Sequence, residues 1–278
     1  MSLLLFTGLV AIGAFSAGML GALTGLGGGM VIVPMLTIVF HIDLRYAIGA
    51  SLISVIATSS GAAAAYVKEG YTNVRVGMLL EIATTLGALG GAYLAGRIGT
   101  GAIAVIFAVV LLYSAYRSTK PVTEHVSAED DDPLSRRLRL ASTYPTKNGL
   151  QPYGVKAVPA GFSLMLLAGI LSGLLGIGSG ALKVLAMDQL MHLPFKVSTT
   201  TSNFMIGVTA AASAGIYLSR GYIDPGLALP VMLGVLAGAL VGARILAGAN
   251  TKMLRRIFAA VIVALALEMA YKGIRGGL

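Results

Sequence analysis

Cysteine is absent from the 278 residues. The chain therefore forms no disulfide, uses no thiol nucleophile and offers no thiolate to a metal. Charge is also scarce. Only 11% of residues are Asp, Glu, Lys or Arg, against about 25% in a soluble domain of this length. The few charges avoid long apolar stretches, and 56% of the chain is hydrophobic. This excludes a soluble globular domain and predicts an all-α polytopic membrane protein. Several stretches approach or exceed the ~20 apolar residues that span a bilayer. The net charge of +9 does not point to nucleic acid. Its basic residues gather in loops, above all in a central linker, as the positive-inside rule expects. No Lys or Arg precedes the first apolar run, and that run exceeds a usual signal-peptide core, so Leu3–Leu23 reads as part of the mature fold.

Glycine, by contrast, is abundant, with 37 residues. Five-residue clusters stand out: Gly25-Leu26-Gly27-Gly28-Gly29, and 151 positions later Gly176-Ile177-Gly178-Ser179-Gly180. The same offset aligns residues without a gap from Ala17/Ala168 to Phe107/Phe258. His41 falls on His192, Arg45 on Lys196, Ser51 on Ser202, and Gly70-Tyr71 on Gly221-Tyr222. A gapless match of this length indicates internal duplication.

The expected organisation is a first transmembrane repeat (1–117), a cytoplasmic linker (118–156) and a second repeat (157–278). The apolar segments of the first half are Leu3–Leu23, Met30–Phe40, Tyr46–Val67, Val76–Leu94 and Ala102–Tyr116. Those of the second are Ala157–Leu175, Ala181–Met191, Val197–Leu218, Gly226–Leu246 and Ile257–Tyr271. The linker carries an acidic run, Glu129 to Asp132, then Arg136-Arg137-Leu138-Arg139. It reads as a polar connector, with a short amphipathic piece near Arg136–Leu140. Eleven residues of helix reach about 16 Å, roughly half a bilayer core, so Met30–Phe40 either re-enters or crosses with help from its glycine loop. Crossing gives five spans per half and inverted repeats; re-entry gives four and parallel repeats. The two arrangements differ by one residue in Lys and Arg balance. Inverted repeats, common in carriers, are the expectation.

The glycine clusters are the main candidates for chemistry. Such runs cannot form a stable helix interior, because each Gly costs up to ~1 kcal/mol against Ala. A helix broken there exposes backbone N–H and C=O groups, which in a membrane must be buried in protein or line a wet cavity. A short helix follows each cluster, and its N-terminal N–H groups favour an anion. Packing motifs space glycines four apart; these are contiguous. The expected substrate site therefore contains Gly25, Gly27, Gly28, Gly29, Gly176, Gly178, Ser179 and Gly180.

Lys183 lies three residues past Gly180 in an apolar stretch, where insertion costs about 2.5–3.5 kcal/mol. It is read as a positive charge beside the anion site, against snorkelling to the headgroups. Asp188 does not share its helix face. Ser51, Thr201, Ser202 and Asn203 can bind oxyanion oxygens or simply cap a helix. Glu81 either relays a proton or holds a counter-charge, or else snorkels toward Arg75. His41 and His192 end the short helices; they are interfacial or, less favoured, proton-coupling. An enzyme is disfavoured. Gly178-Ser179-Gly180 lacks the first glycine of a Gly-x-Ser-Gly nucleophile motif, and no βαβ unit frames a dinucleotide loop. No metal site or cofactor is expected.

The pattern Gly25-x-Gly27-Gly28-Gly29-x-x-x-x-Pro34, with duplicated halves and a central linker, resembles the TauE/SafE sulfite-exporter (TSUP) family. The likeness covers nearly the whole membrane portion. The second cluster departs from the pattern at Ser179 and Leu185. The resemblance implies a secondary transporter of a small sulfur-containing anion (sulfite, sulfoacetate or a related organosulfonate) in the bacterial inner membrane. The alternatives are an anion channel, a carrier of another small carboxylate or oxyanion, and a membrane sensor. Lipid contact, H+ or Na+ coupling and self-association are further expectations; binding of nucleic acid is not.

Overall fold

The computed structural model describes residues 3–24, 28–68, 70–119, 132–146, 149–246 and 251–276. Helices cover all ten apolar segments. The first half holds α1 (Leu3–Thr24), α2 (Gly29–Ile38), α3 (Leu44–Lys68), α4 (Val74–Ala95) and α5 (Thr100–Thr119). After α6 (Pro133–Leu138) and a hairpin of β1 (Ser142–Thr146) and β2 (Gly149–Tyr153), the second half holds α7 (Val158–Leu175), α8 (Gly180–Leu185), α9 (Phe195–Ser219), α10 (Pro225–Leu246) and α11 (Thr251–Arg275). A π-helical turn, Ala186–Leu190, extends α8. Four of these helices (α1, α4, α7 and α10) are long and apolar enough to cross a membrane by length and composition.

Residues 151 positions apart share local conformation. His41 and His192 both take left-handed backbone, with φ of +53° and +56°. Gly70 and Gly221 do the same at +76° and +74°. Asn73 caps α4 by accepting from Val76 N–H, and its counterpart Asp224 accepts from Gly226 N–H at the start of α10. Each cap satisfies an amide the helix itself leaves free.

The halves interlock. Helix α1 packs along α10 and α7 along α4, while α3 packs on α9 and α5 on α11. Glycine makes the contacts close: a Cβ on Gly91 would strike the Ile170 carbonyl, and one on Gly238 the Phe15 carbonyl. Small residues that let backbones approach supply much of the association energy of helices in lipid. The contacts also set directions. Gly234 meets Ala11, and Gly238, one turn later, meets Phe15 and Met19, so α1 and α10 run parallel. Gly87 meets Leu166 and Gly91 meets Ile170, so α4 and α7 run parallel. Gly101, at the start of α5, meets Gly273 near the end of α11, so that pair is antiparallel. Gly49, near the start of α3, meets Tyr222 just past the end of α9, so that pair is antiparallel too.

The linker is more structured than a polar connector. Its described part forms α6 and the hairpin, in register Ser142↔Tyr153 to Thr146↔Gly149. Leu140, Tyr144, Tyr153 and Val155 join a core with Val76, Leu80 and Val197. Asn73 Nδ2 donates to Leu140 O and to Tyr153 Oη, both at 2.9 Å. Burial pushes the Tyr153 hydroxyl above its ordinary range, so it stays neutral beside that amide. The anticipated amphipathic stretch is helical to Leu138 and then turns inward at Arg139, whose φ is +50°. The acidic run before Asp132 lies outside the described residues.

Candidate functional site

The second glycine cluster breaks the helix. Helix α7 ends at Leu175, and Gly176 closes it in left-handed backbone with its N–H on Ser172 O. Gly178 at φ +69° and Ser179 at φ +43° continue the left-handed turn into α8. Ser179 bears a side chain in a conformation that disfavours one. Its hydroxyl donates to Ala168 O at 2.6 Å, which anchors the turn on α7. The glycines admit no side chain: a Cβ on Gly176 would lie 2.7 Å from Ile48 Cγ2, and one on Gly178 2.8 Å from Ile206 Cγ2. Among the described residues, the amide N–H groups of Ile177, Gly178 and Ser179 meet no backbone acceptor.

The first cluster stands against the second. Gly25 and Gly27 lie outside the described residues. Gly28 caps α2, its carbonyl accepting from Val31 and Ile32 N–H. A Cβ on Gly29 would be 3.2 Å from Ile177 Cα, so the start of α2 touches the middle of the other loop. Ser51 and Ser202 hold this junction. Ser51 Oγ donates to Gly176 O at 2.8 Å and Ser202 Oγ to Gly180 O at 3.4 Å. Repeat-related serines thus grip one loop, and both hydroxyls are engaged by its carbonyls.

Lys183 does not snorkel. It is wholly buried, and its Nζ donates to Thr209 Oγ1 of α9 at 2.6 Å. Thr209 Oγ1 in turn donates to Glu81 Oε1 of α4 at 2.7 Å. Thr85 Oγ1 also donates to that oxygen, at 3.1 Å. Glu81 is buried as well, and its Oε2 has no hydrogen-bond partner among the described residues. It does not turn toward Arg75, which donates instead to Arg139 O. Lys183 N–H bonds to Ser179 O, so the ammonium springs from the first turn beyond the broken loop.

The other candidates lie apart from this group. Thr201 Oγ1 accepts from Asn73 N–H at 3.0 Å, tying α9 to the α3–α4 turn. Asn203 is half-buried on α9. His41 and His192 stand at the far ends of the short helices, His41 exposed and His192 half-buried. Asp188 is buried in the π turn. Sequence reasoning missed Thr209, Thr84 and Thr85. For Thr209 the available signal was the polar row Ser202, Thr209 and Ser213, which recurs at helical spacing along one segment.

Comparison with known proteins agrees with the architecture. The model of a family described as sulfite exporter TauE/SafE matches residues 9–269. The chain is 29% identical to the probable membrane transporter protein YunE of Bacillus subtilis, over 97% of this chain and 98% of that protein. It is 27% identical to the probable membrane transporter protein YdhB of the same organism, over 85% and 89%. The probable membrane transporter protein MJ0441 of Methanocaldococcus jannaschii is 25% identical over 96% of each. No solved structure matches the chain. A duplicated, glycine-broken helical bundle with buried charge at its centre, matched along nearly its whole length, places this integral membrane protein in the TauE/SafE family of membrane transporters.

Proposed function

We propose that the protein is a secondary carrier that moves a small sulfur-containing anion (sulfite, sulfoacetate or a related organosulfonate) across the inner, or plasma, membrane, with its linker in the cytoplasm. The observation that carries this reading is the α7–α8 break. Among the described residues, the consecutive amides of Ile177, Gly178 and Ser179 meet no backbone acceptor, just before a helix whose first turn bears a buried lysine. Unpaired N–H groups and a helix N-terminus favour negative charge. Backbone amides of both loops would hold the oxyanion, and Lys183 would supply the charge. Ser51 and Ser202 would keep the loop in shape rather than meet the substrate, since loop carbonyls already engage them.

Helix directions support inverted repeats. Matching helices α3 and α9 are antiparallel, as are α5 and α11. A dyad in the membrane plane reverses matching helices; a dyad along the normal does not. Alternating access would then come from rocking one half against the other about the loops. The basic residues Arg136, Arg137 and Arg139 favour a cytoplasmic linker.

The test is a thermal-shift screen of sulfite, thiosulfate, sulfoacetate and taurine, with carboxylate controls, on detergent-purified protein. A sulfur oxyanion should raise the melting temperature, and the rise should grow with the logarithm of its concentration above Kd. No shift with any of them, or equal shifts with acetate, would remove the substrate class.

A further inference from the structure

Internal symmetry does not demand the charges of Glu81 and Lys183. The positions 151 residues away from Glu81, Lys183 and Thr209 are Met232, Ile32 and Thr58. The same helix arrangement is therefore made once with two apolar side chains and once with two charges. Buried ion pairs are commonly replaced by apolar residues with no loss of stability. Charge kept on one side of a duplicated scaffold, deep among membrane helices, calls for another explanation.

The geometry supplies one. Glu81 and Lys183 are linked through a hydroxyl rather than in direct contact. Thr209 Oγ1 has other partners within reach, Thr84 Oγ1 at 3.4 Å and Met205 O at 3.0 Å, so it can release the carboxylate. Glu81 Oε2 is buried and without a partner among the described residues, which leaves a lone pair open to a proton. Lys183 uses one of three ammonium hydrogens on Thr209. Few other charges face Glu81. Helix α7, packed against α4, carries no titratable residue. On α9 the titratable residues are Lys196 and Tyr217, near its two ends, with Thr209 between. Arg75, on α4 itself, lies nearly two turns away and is held by Arg139 O. Asp188, in the π turn, is the remaining buried charge among the described residues.

We propose that Glu81 is a proton-binding site that alternates with the transported anion as the counter-charge of Lys183. With the anion absent, the Glu81 carboxylate neutralises the ammonium through Thr209. A proton taken from solution onto Oε2 forms an O–H bond and makes the carboxyl neutral. Lys183 is then free to compensate an arriving anion, and departure of the anion returns the proton to solvent. Proton and anion binding favour one another reciprocally. This inference deepens the anion-carrier reading and rests on it for the identity of the second charge.

Two measurements test it. Infrared difference spectra of the protein in lipid nanodiscs, taken between acid and alkaline pH without any anion substrate, should show a protonated-carboxyl band that Glu81→Gln lacks. Absence of a Glu81-dependent band overturns the proposal. In proteoliposomes loaded with a pH dye, sulfoacetate uptake should acidify the lumen, and Glu81→Gln should abolish the acidification. Sulfoacetate uptake by the parent protein without proton movement overturns the proposal while the carrier reading stands. If the Glu81 band is present but sulfite, thiosulfate and sulfoacetate neither bind nor move, the carrier reading fails and the proton site stands. The double variant Glu81→Met/Lys183→Ile, which transplants the residues of the other half, should fold with a parent-like melting temperature and lose the band. Failure of that variant to fold would make the pair structural and overturn the proposal.

Discussion

Lys183 and Glu81, from helices α8 and α4, share one bridging atom: Thr209 Oγ1 accepts from Nζ at 2.6 Å and donates to Oε1 at 2.7 Å. Three elements of the bundle therefore meet at a single hydroxyl. Removing it takes the side-chain acceptor from buried Lys183 and one of two hydroxyl donors from Glu81 Oε1. Thr209→Val, nearly the same shape, should destabilise the protein by about 1–3 kcal/mol, the cost of leaving buried polar groups without partners. Thr209→Ser should recover most of that loss. Denaturation in detergent, followed by circular dichroism, measures both.

Gly176 and Gly70 separate strain from crowding. Both have left-handed backbone, at φ +68° and +76°. At Gly70 no described residue would lie within 4 Å of an added Cβ, whereas at Gly176 Ile48 stands 2.7 Å away. Gly70→Ala should cost only the conformational penalty of about 1–2 kcal/mol. Gly176→Ala should cost more, and should also lower anion uptake by reshaping the loop. Equal loss of stability in the two variants would refute the crowding at Ile48.

Ser51 and Ser202 occupy equivalent repeat positions but hold the loop unequally, at 2.8 Å and 3.4 Å. The shorter bond is the stronger. Ser51→Ala should lose about 1 kcal/mol of stability, and Ser202→Ala distinctly less. Paired melting curves decide this.

Asn73 joins the bundle to the linker hairpin. Its side chain accepts from Val76 N–H and donates to Leu140 O and Tyr153 Oη. Asn73→Ala removes the α4 cap, at about 1 kcal/mol, and frees the hairpin from the α3–α4 turn. Limited proteolysis within residues 142–153 should accelerate, with α4 otherwise intact. Tyr153→Phe should raise the cleavage rate less, because the bond to Leu140 O survives.

Helix positions were legible because each apolar run is bounded by glycine, proline or charge. Met30–Phe40 and Ala181–Met191 were recognisable as short from length alone, and the helices start within a residue of those bounds. The break at Gly176–Gly180 was legible too, since contiguous glycines disfavour helix wherever they sit. The hairpin was not. Ser142–Thr146 and Gly149–Tyr153 are short and proline-containing, and Tyr144 and Tyr153 are buried only in a core shared with distant residues such as Val76 and Val197. Snorkelling and burial of Lys183 could not be told apart from sequence either. The outcome depends on what lies across the helix, and Glu81 is about a hundred residues away along the chain.

The order of residues alone determined that this chain is membrane-embedded, duplicated, helical and interrupted at the glycine cluster Gly176–Gly180. Those properties follow from local hydropathy, periodicity and backbone freedom, which neighbours in sequence decide. Tertiary structure decided which half contacts which, that α3 runs antiparallel to α9 and α5 to α11, and that one threonine unites a lysine and a glutamate. These are relationships between distant segments, created by close glycine packing, and no local propensity encodes them.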